Sequence, residues 1–355
     1  MNIKKLVKPS VRTLRAYSAK EIPCRVKLDA NESPYSVFRG SKGQRVKVQK
    51  IFQKLNRYPD PEAKELKKVI AKNLGLKPGN ILTGNGSDEL IYYLITAFGG
   101  PVLYPVPTFS MYGIISQALG EKKIEIPLDK EFDLDIEKIT NAIKKEKPKL
   151  IFLSSPNNPT GNCFSTDRIL QIIETSSLLT RNPSLVIVDE AYQPFSSEKG
   201  FLPLLRDYKN LAIMRTLSKI GLAGLRVGFL IADAEIINEV NKVRLPFNLN
   251  MVSQTVAAES LKNGNVMKQY INSIISERER LFDKLSQIKG IKPYPSEANF
   301  ILFKTGNPDR IYKGLLKKGV LVRNMKGVVN ACLRVTVGTK EENNIFLKAL
   351  KEVVL

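Results

Sequence analysis

The chain of 355 residues contains no histidine. That absence removes Ser-His-Asp triads, Cys-His pairs and histidine-ligated zinc. Lysine, tyrosine, cysteine, aspartate and glutamate remain as the side chains able to shuttle a proton. Cysteine is nearly as scarce. Cys24, Cys163 and Cys332 lie far apart with no C-x-x-C pair, which excludes a disulfide framework or a zinc site and leaves a reducing cytoplasm as the expected setting. No apolar run approaches the ~18 residues needed to cross a bilayer. The basic N-terminus "MNIKKLVKPSVRTL" is followed by no apolar stretch, so no signal peptide is expected. Acidic residues are outnumbered, 34 against 56 Lys+Arg, for a formal charge of +22. The lysines are scattered over amphipathic stretches such as "PEAKELKKVIAKNLG" and "DIEKITNAIKKEKPK". That pattern is a solvated face, no aromatic-interleaved basic cluster marks a nucleic-acid surface, and attraction of small anions is the better use of the field.

What is present reads as a large α/β unit. Hydrophobic residues make up 43%, enough for a sizeable core, and between residues 65 and 230 helical patterns alternate with short apolar strands. These include "NILTG", "PVLYP", "KKIEIP", "KLIFLSS", "SLVIVDE" and "LAIMRTL". The order predicts a mainly parallel sheet with helices on both faces. From Lys219 to Arg226 there is too little chain for a crossover helix, so "RVGFLIA" is expected to run antiparallel to its predecessor. After "NKVRLPFNLN" the character changes to long helices and then a smaller α/β unit. The expected organisation is an N-terminal arm (1–28) packing with the small domain, a large domain (29–250) and a small C-terminal domain (251–355).

In open α/β sheets, ligands sit beyond the carboxyl ends of the strands. Those ends carry Asn158 in "SSPNNPTG", Asp189 in "IVDEAY" and Lys219 in "TLSK", spaced 31 and 30 residues apart. Each has an ordinary alternative: a turn former, a helix cap, a solvated loop lysine. Their joint placement at successive strand ends favours one cleft holding an amide, a carboxylate and an amine. "LTGNGSDELIYYLITAF" then runs from strand to helix through Gly86, Ser87 and Asp88. Such a turn presents free backbone N–H groups and the positive dipole end to a phosphate. It matches neither G-x-G-x-x-G nor the Walker pattern. Arg226 adds a guanidinium, and Thr216 and Ser218 add hydroxyls. This set suits pyridoxal 5′-phosphate. Lys219 would hold the cofactor covalently and move protons, Asp189 would pair with the pyridine nitrogen, and Asn158 and Tyr192 would bond the ring hydroxyl.

"SPNNPTG", "VDEAY" and "RTLSK…GLRVGF" resemble the fold-type I aminotransferases, in the right order and over nearly the whole chain. "VRTLRAY", "LDANESP", "NRYPDP", "GNGSDE", "VRLPFN" and "CLRVTVGT" resemble, more narrowly, the histidinol-phosphate aminotransferases. The resemblance implies a homodimer in which Tyr58 of one subunit reaches the cofactor phosphate of the other. It implies that Arg334, with Arg323, receives the anionic end of the substrate, a phosphate in histidinol phosphate or a carboxylate in glutamate and 2-oxoglutarate. It also implies that Tyr17 and Asn31 line that pocket and that Phe109 stacks on the cofactor ring, in place of a common tyrosine. The alternatives are an aromatic aminotransferase or a threonine-phosphate decarboxylase-like enzyme, which use the same cofactor constellation. A non-catalytic ligand sensor keeping this fold is disfavoured by the presence of both Lys219 and Asp189.

Overall fold

Short, uninterrupted runs of aliphatic residues build the centre of this protein. The computed structural model describes residues 7–14, 22–36, 46, 49–178, 183–262 and 264–354. Its strands are β1 (Val26–Leu28), β2 (Ile81–Asn85), β3 (Val102–Val106), β4 (Lys123–Pro127), β5 (Leu150–Ser154) and β6 (Leu185–Asp189). They continue with β7 (Leu211–Thr216), β8 (Val227–Ala232), β9 (Ile291–Pro293), β10 (Phe300–Thr305), β11 (Val320–Asn324) and β12 (Cys332–Thr336).

Seven of these form one sheet in the order β2-β8-β7-β6-β5-β3-β4. As the short Lys219–Arg226 link requires, β8 runs antiparallel to β7, and it is antiparallel to β2 as well. The remaining pairs are parallel. Successive side chains on a strand point to opposite faces, and the central strands divide accordingly. Val186, Val188 and Ile213 pack with Ile139 and Ile169 from the helices Ile136–Glu146 and Thr166–Leu178. Ile187, Met214 and Leu230 pack with Leu90 and Tyr112 from the helices Ser87–Phe98 and Met111–Leu119. With both faces covered, each fully buried aliphatic side chain contributes about 1.5–3 kcal/mol relative to exposure.

The smaller sheet has five strands in the order β1-β11-β12-β10-β9. Its core, from Phe300 and Ile301 to Leu333 and Val335, is continuous with one face of the large sheet. β1 joins parallel to β11, Val26 opposite Val320, and the other pairs are antiparallel. Upstream of β1, the short helix Pro9–Arg12 lies against Met111–Leu119, where Lys8 Nζ donates to the Leu119 carbonyl at 3.3 Å. Among the described residues no helix is long and apolar enough to cross a membrane.

Candidate active site

The parallel register brings three strand ends level. Ser154 stands opposite Asp189, and Asp189 opposite Met214. Backbone bonds continue one residue further, with Ser155 N–H donating to the Asp189 carbonyl (3.0 Å) and Glu190 N–H to the Met214 carbonyl (2.8 Å). Asn158, Asp189 and Lys219 therefore leave β5, β6 and β7 at one edge of the sheet, beside the β8 reversal.

Asp189 is 3% exposed. Its Oδ2 accepts from Tyr112 Oη at 2.7 Å and its Oδ1 from the Ala191 N–H at 3.0 Å. Burial pushes its carboxyl up to about 6, with the nearby Asp88 charge adding, against the pull of the two donors and of Lys219. Tyr112 is itself fully buried, and burial first, then the Asp189 charge, raises its phenol well above the usual range. It stays a fixed donor. A carboxylate so placed is ionised at neutral pH and has unused lone pairs for a cationic N–H. Lys219 sits in the tight turn Ser218–Leu222, one residue beyond the end of β7, closed by Gly221 at φ 96°. Its Nζ lies 5.7 Å from the centroid of the Tyr192 ring.

The second element is an uncapped helix start. Helix Ser87–Phe98 begins after Gly86 (φ 80°), which has no side chain to bond the first N–H groups. By contrast, the helix Pro308–Lys317 is capped by Asn307, which accepts from Arg310 N–H at 3.0 Å. Gly228 of β8 passes so near that a Cβ on it would fall 2.7 Å from the Gly86 carbonyl carbon and 2.8 Å from Ser87 N. A Cβ on Gly86 would fall 2.6 Å from Arg226 Nη2. The left-handed backbone of Arg226 (φ 53°) aims its guanidinium back here, with Nη1 3.4 Å from Ser218 Oγ and Nη2 3.3 Å from Asp88 Oδ2. Thr216 Oγ1 stands 2.9 Å from Ser218 Oγ. Free backbone N–H groups, two hydroxyls and a guanidinium thus surround one point, the donor set of a phosphate site.

The third element crosses between the sheets. Arg334 of β12 is 8% exposed, yet its Nη1 donates to Asn158 Oδ1 at 2.5 Å and its Nη2 to the Asp29 carbonyl at 2.8 Å. Its guanidinium carbon lies 5.1 Å from the Phe300 ring centroid. With Oδ1 engaged, Asn158 has its amide N–H groups left for a ligand. Arg323 of β11 stands directly opposite Arg334, so both point to one face of the small sheet. Asn31, 1% exposed, donates from Nδ2 to Tyr192 Oη at 3.0 Å.

Three sequence candidates are not drawn into this cluster by contacts within the chain. Tyr58 is 79% exposed and stacks on Phe247, with ring centroids 4.6 Å apart. Phe109 is half-buried, edge-on to Tyr112 at 5.7 Å. Tyr17 lies outside the described residues. Sequence reading missed Tyr112. The one signal was its place in "FSMYG", one helical turn after Phe109.

An α/β sheet with amine, carboxylate and phosphate cradle at its carboxyl edge is the architecture of an aminotransferase, and the chain belongs to the aminotransferase class I and II family, whose model matches residues 25–350. It is 45% identical to the histidinol-phosphate aminotransferase of Aquifex aeolicus, over 98% of both chains. A solved histidinol-phosphate aminotransferase from Clostridium acetobutylicum superposes with a TM-score of 0.84 at 26% identity, covering 93% of this chain and 99% of that one. The Sinorhizobium meliloti histidinol-phosphate aminotransferase, solved in complex with pyridoxal-5′-phosphate, shares the fold at a TM-score of 0.85 and 24% identity, over 98% of this chain and 97% of that one. The residues present fit that cofactor. The uncapped helix start, the Thr216 and Ser218 hydroxyls and the Arg226 guanidinium offer donors to a phosphate, and Asp189 offers a buried acceptor to a ring N–H.

Proposed function

We propose that the protein transfers the amino group of histidinol phosphate to 2-oxoglutarate with pyridoxal 5′-phosphate, as a cytoplasmic homodimer. When bound, the cofactor supplies an electron sink for the bond broken at the substrate's α-carbon. The chain's residues divide the remaining work. The turn Gly86–Asp88, through the Ser87 and Asp88 N–H groups, would hold the phosphate together with Thr216, Ser218 and Arg226, and Asp189 would hold the proton on the ring nitrogen. Asn158 and Tyr192 donate to the ring oxygen. The Lys219 amine anchors the cofactor and, when displaced by substrate, carries the α-carbon proton.

The observation that carries the substrate assignment is the Arg323–Arg334 pair. Like charges directly opposite on neighbouring strands repel, and an anion received between them relieves the repulsion. Histidinol phosphate has no α-carboxylate, so one pocket must accept a phosphate in one half-reaction and a carboxylate in the other. A planar guanidinium forks to either group, whereas a lysine offers only a point charge. Arg334→Lys is therefore expected to weaken both half-reactions. Removing the substrate phosphate should lower kcat/KM by roughly 10- to 100-fold, the value of a charge-assisted contact. A panel of histidinol phosphate, histidinol, phenylalanine and O-phosphothreonine with 2-oxoglutarate checks this. Preference for phenylalanine, or release of carbon dioxide from O-phosphothreonine, would replace the reading with an aromatic aminotransferase or a decarboxylase.

The dimer rests on exposed apolar surface. Besides the stacked Tyr58 and Phe247, Leu245 is 62%, Phe52 58% and Leu55 57% exposed, large apolar side chains of the kind a partner covers. A second copy covering this surface would carry Tyr58 to the other subunit's phosphate cradle. Mixing inactive Tyr58→Ala and Lys219→Ala proteins should then restore activity, since one of the two hybrid sites receives both native residues. Full activity in a strictly monomeric preparation would sink the shared site.

A further inference from the structure

Asn31 is held as few surface loop residues are. Its backbone is left-handed (φ 54°), a conformation asparagine tolerates better than most residues. Its N–H donates to Thr336 Oγ1 at 2.9 Å, and its carbonyl accepts from Asn299 Nδ2 at 3.1 Å. Its Oδ1 accepts from Thr336 Oγ1 at 3.2 Å, and its Nδ2 donates to Tyr192 Oη at 3.0 Å. Asn31, Thr336, Asn299 and Tyr192 are all 4% exposed or less. Every polar atom of Asn31 has a protein partner, and almost no surface remains for a substrate to touch.

Proton counting gives this network a direction. Thr336 Oγ1 accepts the Asn31 N–H and donates its single proton to Asn31 Oδ1. That turns the amide's nitrogen toward Tyr192. An amide nitrogen only donates, so Tyr192 Oη is the acceptor in that bond. Its own proton is then left for another acceptor.

We infer that Asn31 is a positioning residue for Tyr192, committing the phenol proton to the cofactor ring oxygen through a bond anchored in the small sheet. The inference rests on the proposed placement of Tyr192 against that oxygen. Thr336 and Arg334 lie two residues apart on β12, on the same face of the strand. One strand therefore both sets the proton direction at the ring oxygen and presents the guanidinium assigned to the substrate anion.

The test reads the resting holoenzyme, not turnover. A donor to the ring oxygen draws charge from it and weakens its hold on the proton at the Lys219 nitrogen. It thereby lowers the pH at which the visible absorption of the Lys219-bound cofactor changes. Tyr192→Phe removes the donor. Asn31→Asp keeps size and backbone tolerance but replaces the amide donor by an acceptor that captures the Tyr192 proton. Both should raise the absorption midpoint by roughly 0.5–1 pH unit, the size of one lost hydrogen bond. The double variant should move it no further than Tyr192→Phe alone. Asn31→Gly, which keeps the left-handed backbone without the side chain, should give a smaller rise of the same sign, and decides the matter if the aspartate variant does not fold. If Tyr192→Phe moves the midpoint while Asn31→Asp and Asn31→Gly leave it at the wild-type pH and raise KM alone, Asn31 is a substrate-pocket residue and the inference fails. If Tyr192→Phe leaves the midpoint unmoved, the placement of Tyr192 fails first.

Discussion

Lys219→Ala is expected to lower kcat by about 10⁴-fold or more, because on the proposed assignment one amine is both covalent anchor and proton carrier. The structure explains why no neighbour can substitute. Lys219 is delivered by a turn separated from β7 by the single residue Leu217, and its amine lies over the face of Tyr192. The Arg226 guanidinium faces Ser218 and Asp88 at the phosphate cradle instead, and an arginine does not give up its proton at working pH. Cofactor should still bind to Lys219→Ala through the cradle, with reduced affinity. Borohydride reduction of the wild-type holoenzyme followed by peptide mass spectrometry locates the anchor. An adduct on any lysine other than Lys219 would end the assignment.

The strand ends were the most legible part of this chain, for a physical reason. Strands covered on both faces must be apolar throughout, so polar residues after "SLVIV" or "LAIM" mark where a buried strand ends. That logic reaches Asp189 directly and Lys219 a few residues further on, past Arg215, Thr216 and Ser218. It fails where structure depends on pairing at a distance. The three-residue strands β1 and β9 carry too little pattern to be read, and they exist because β11 and β10 offer them an edge. The bond from Arg334 to Asn158 spans 176 positions, and nothing local to either residue announces it. Tyr112 reads as one apolar helix residue among several. Only the fold shows that its hydroxyl reaches Asp189, which points to the same face of the sheet as Ile187.

Asp189→Asn is expected to act with opposite sign on catalysis and on the stability of the cofactor-free protein. A neutral amide cannot hold a proton on the ring nitrogen, so the charge developing in the transition state loses its partner. A loss of roughly 10²–10³-fold in kcat follows, while the phosphate contacts keep most of the cofactor affinity. In the cofactor-free protein the same carboxylate is a burden. Its folded value of about 6 lies above the ordinary 3.8, so the folded state binds this proton more tightly than the unfolded chain does. The group's contribution to stability is therefore greatest below about pH 4 and is lost as pH rises through the window from about 4 to 6. At neutral pH the ionised form costs about 3 kcal/mol. Asparagine removes that cost and can satisfy both neighbours, accepting from the Ala191 N–H and donating to Tyr112 Oη. The cofactor-free variant should then melt above the wild type at neutral pH, with the difference vanishing on acidification. Adding cofactor should raise the wild-type melting temperature more than the variant's, because only the carboxylate gains a charged partner. Thermal melts at acid and neutral pH, with and without cofactor, test all three statements. A pH-independent difference, or near-normal turnover, would mean that the buried carboxylate does not face the ring nitrogen. On the proposed placement, the cofactor supplies the counterpart that offsets the cost of the buried charge.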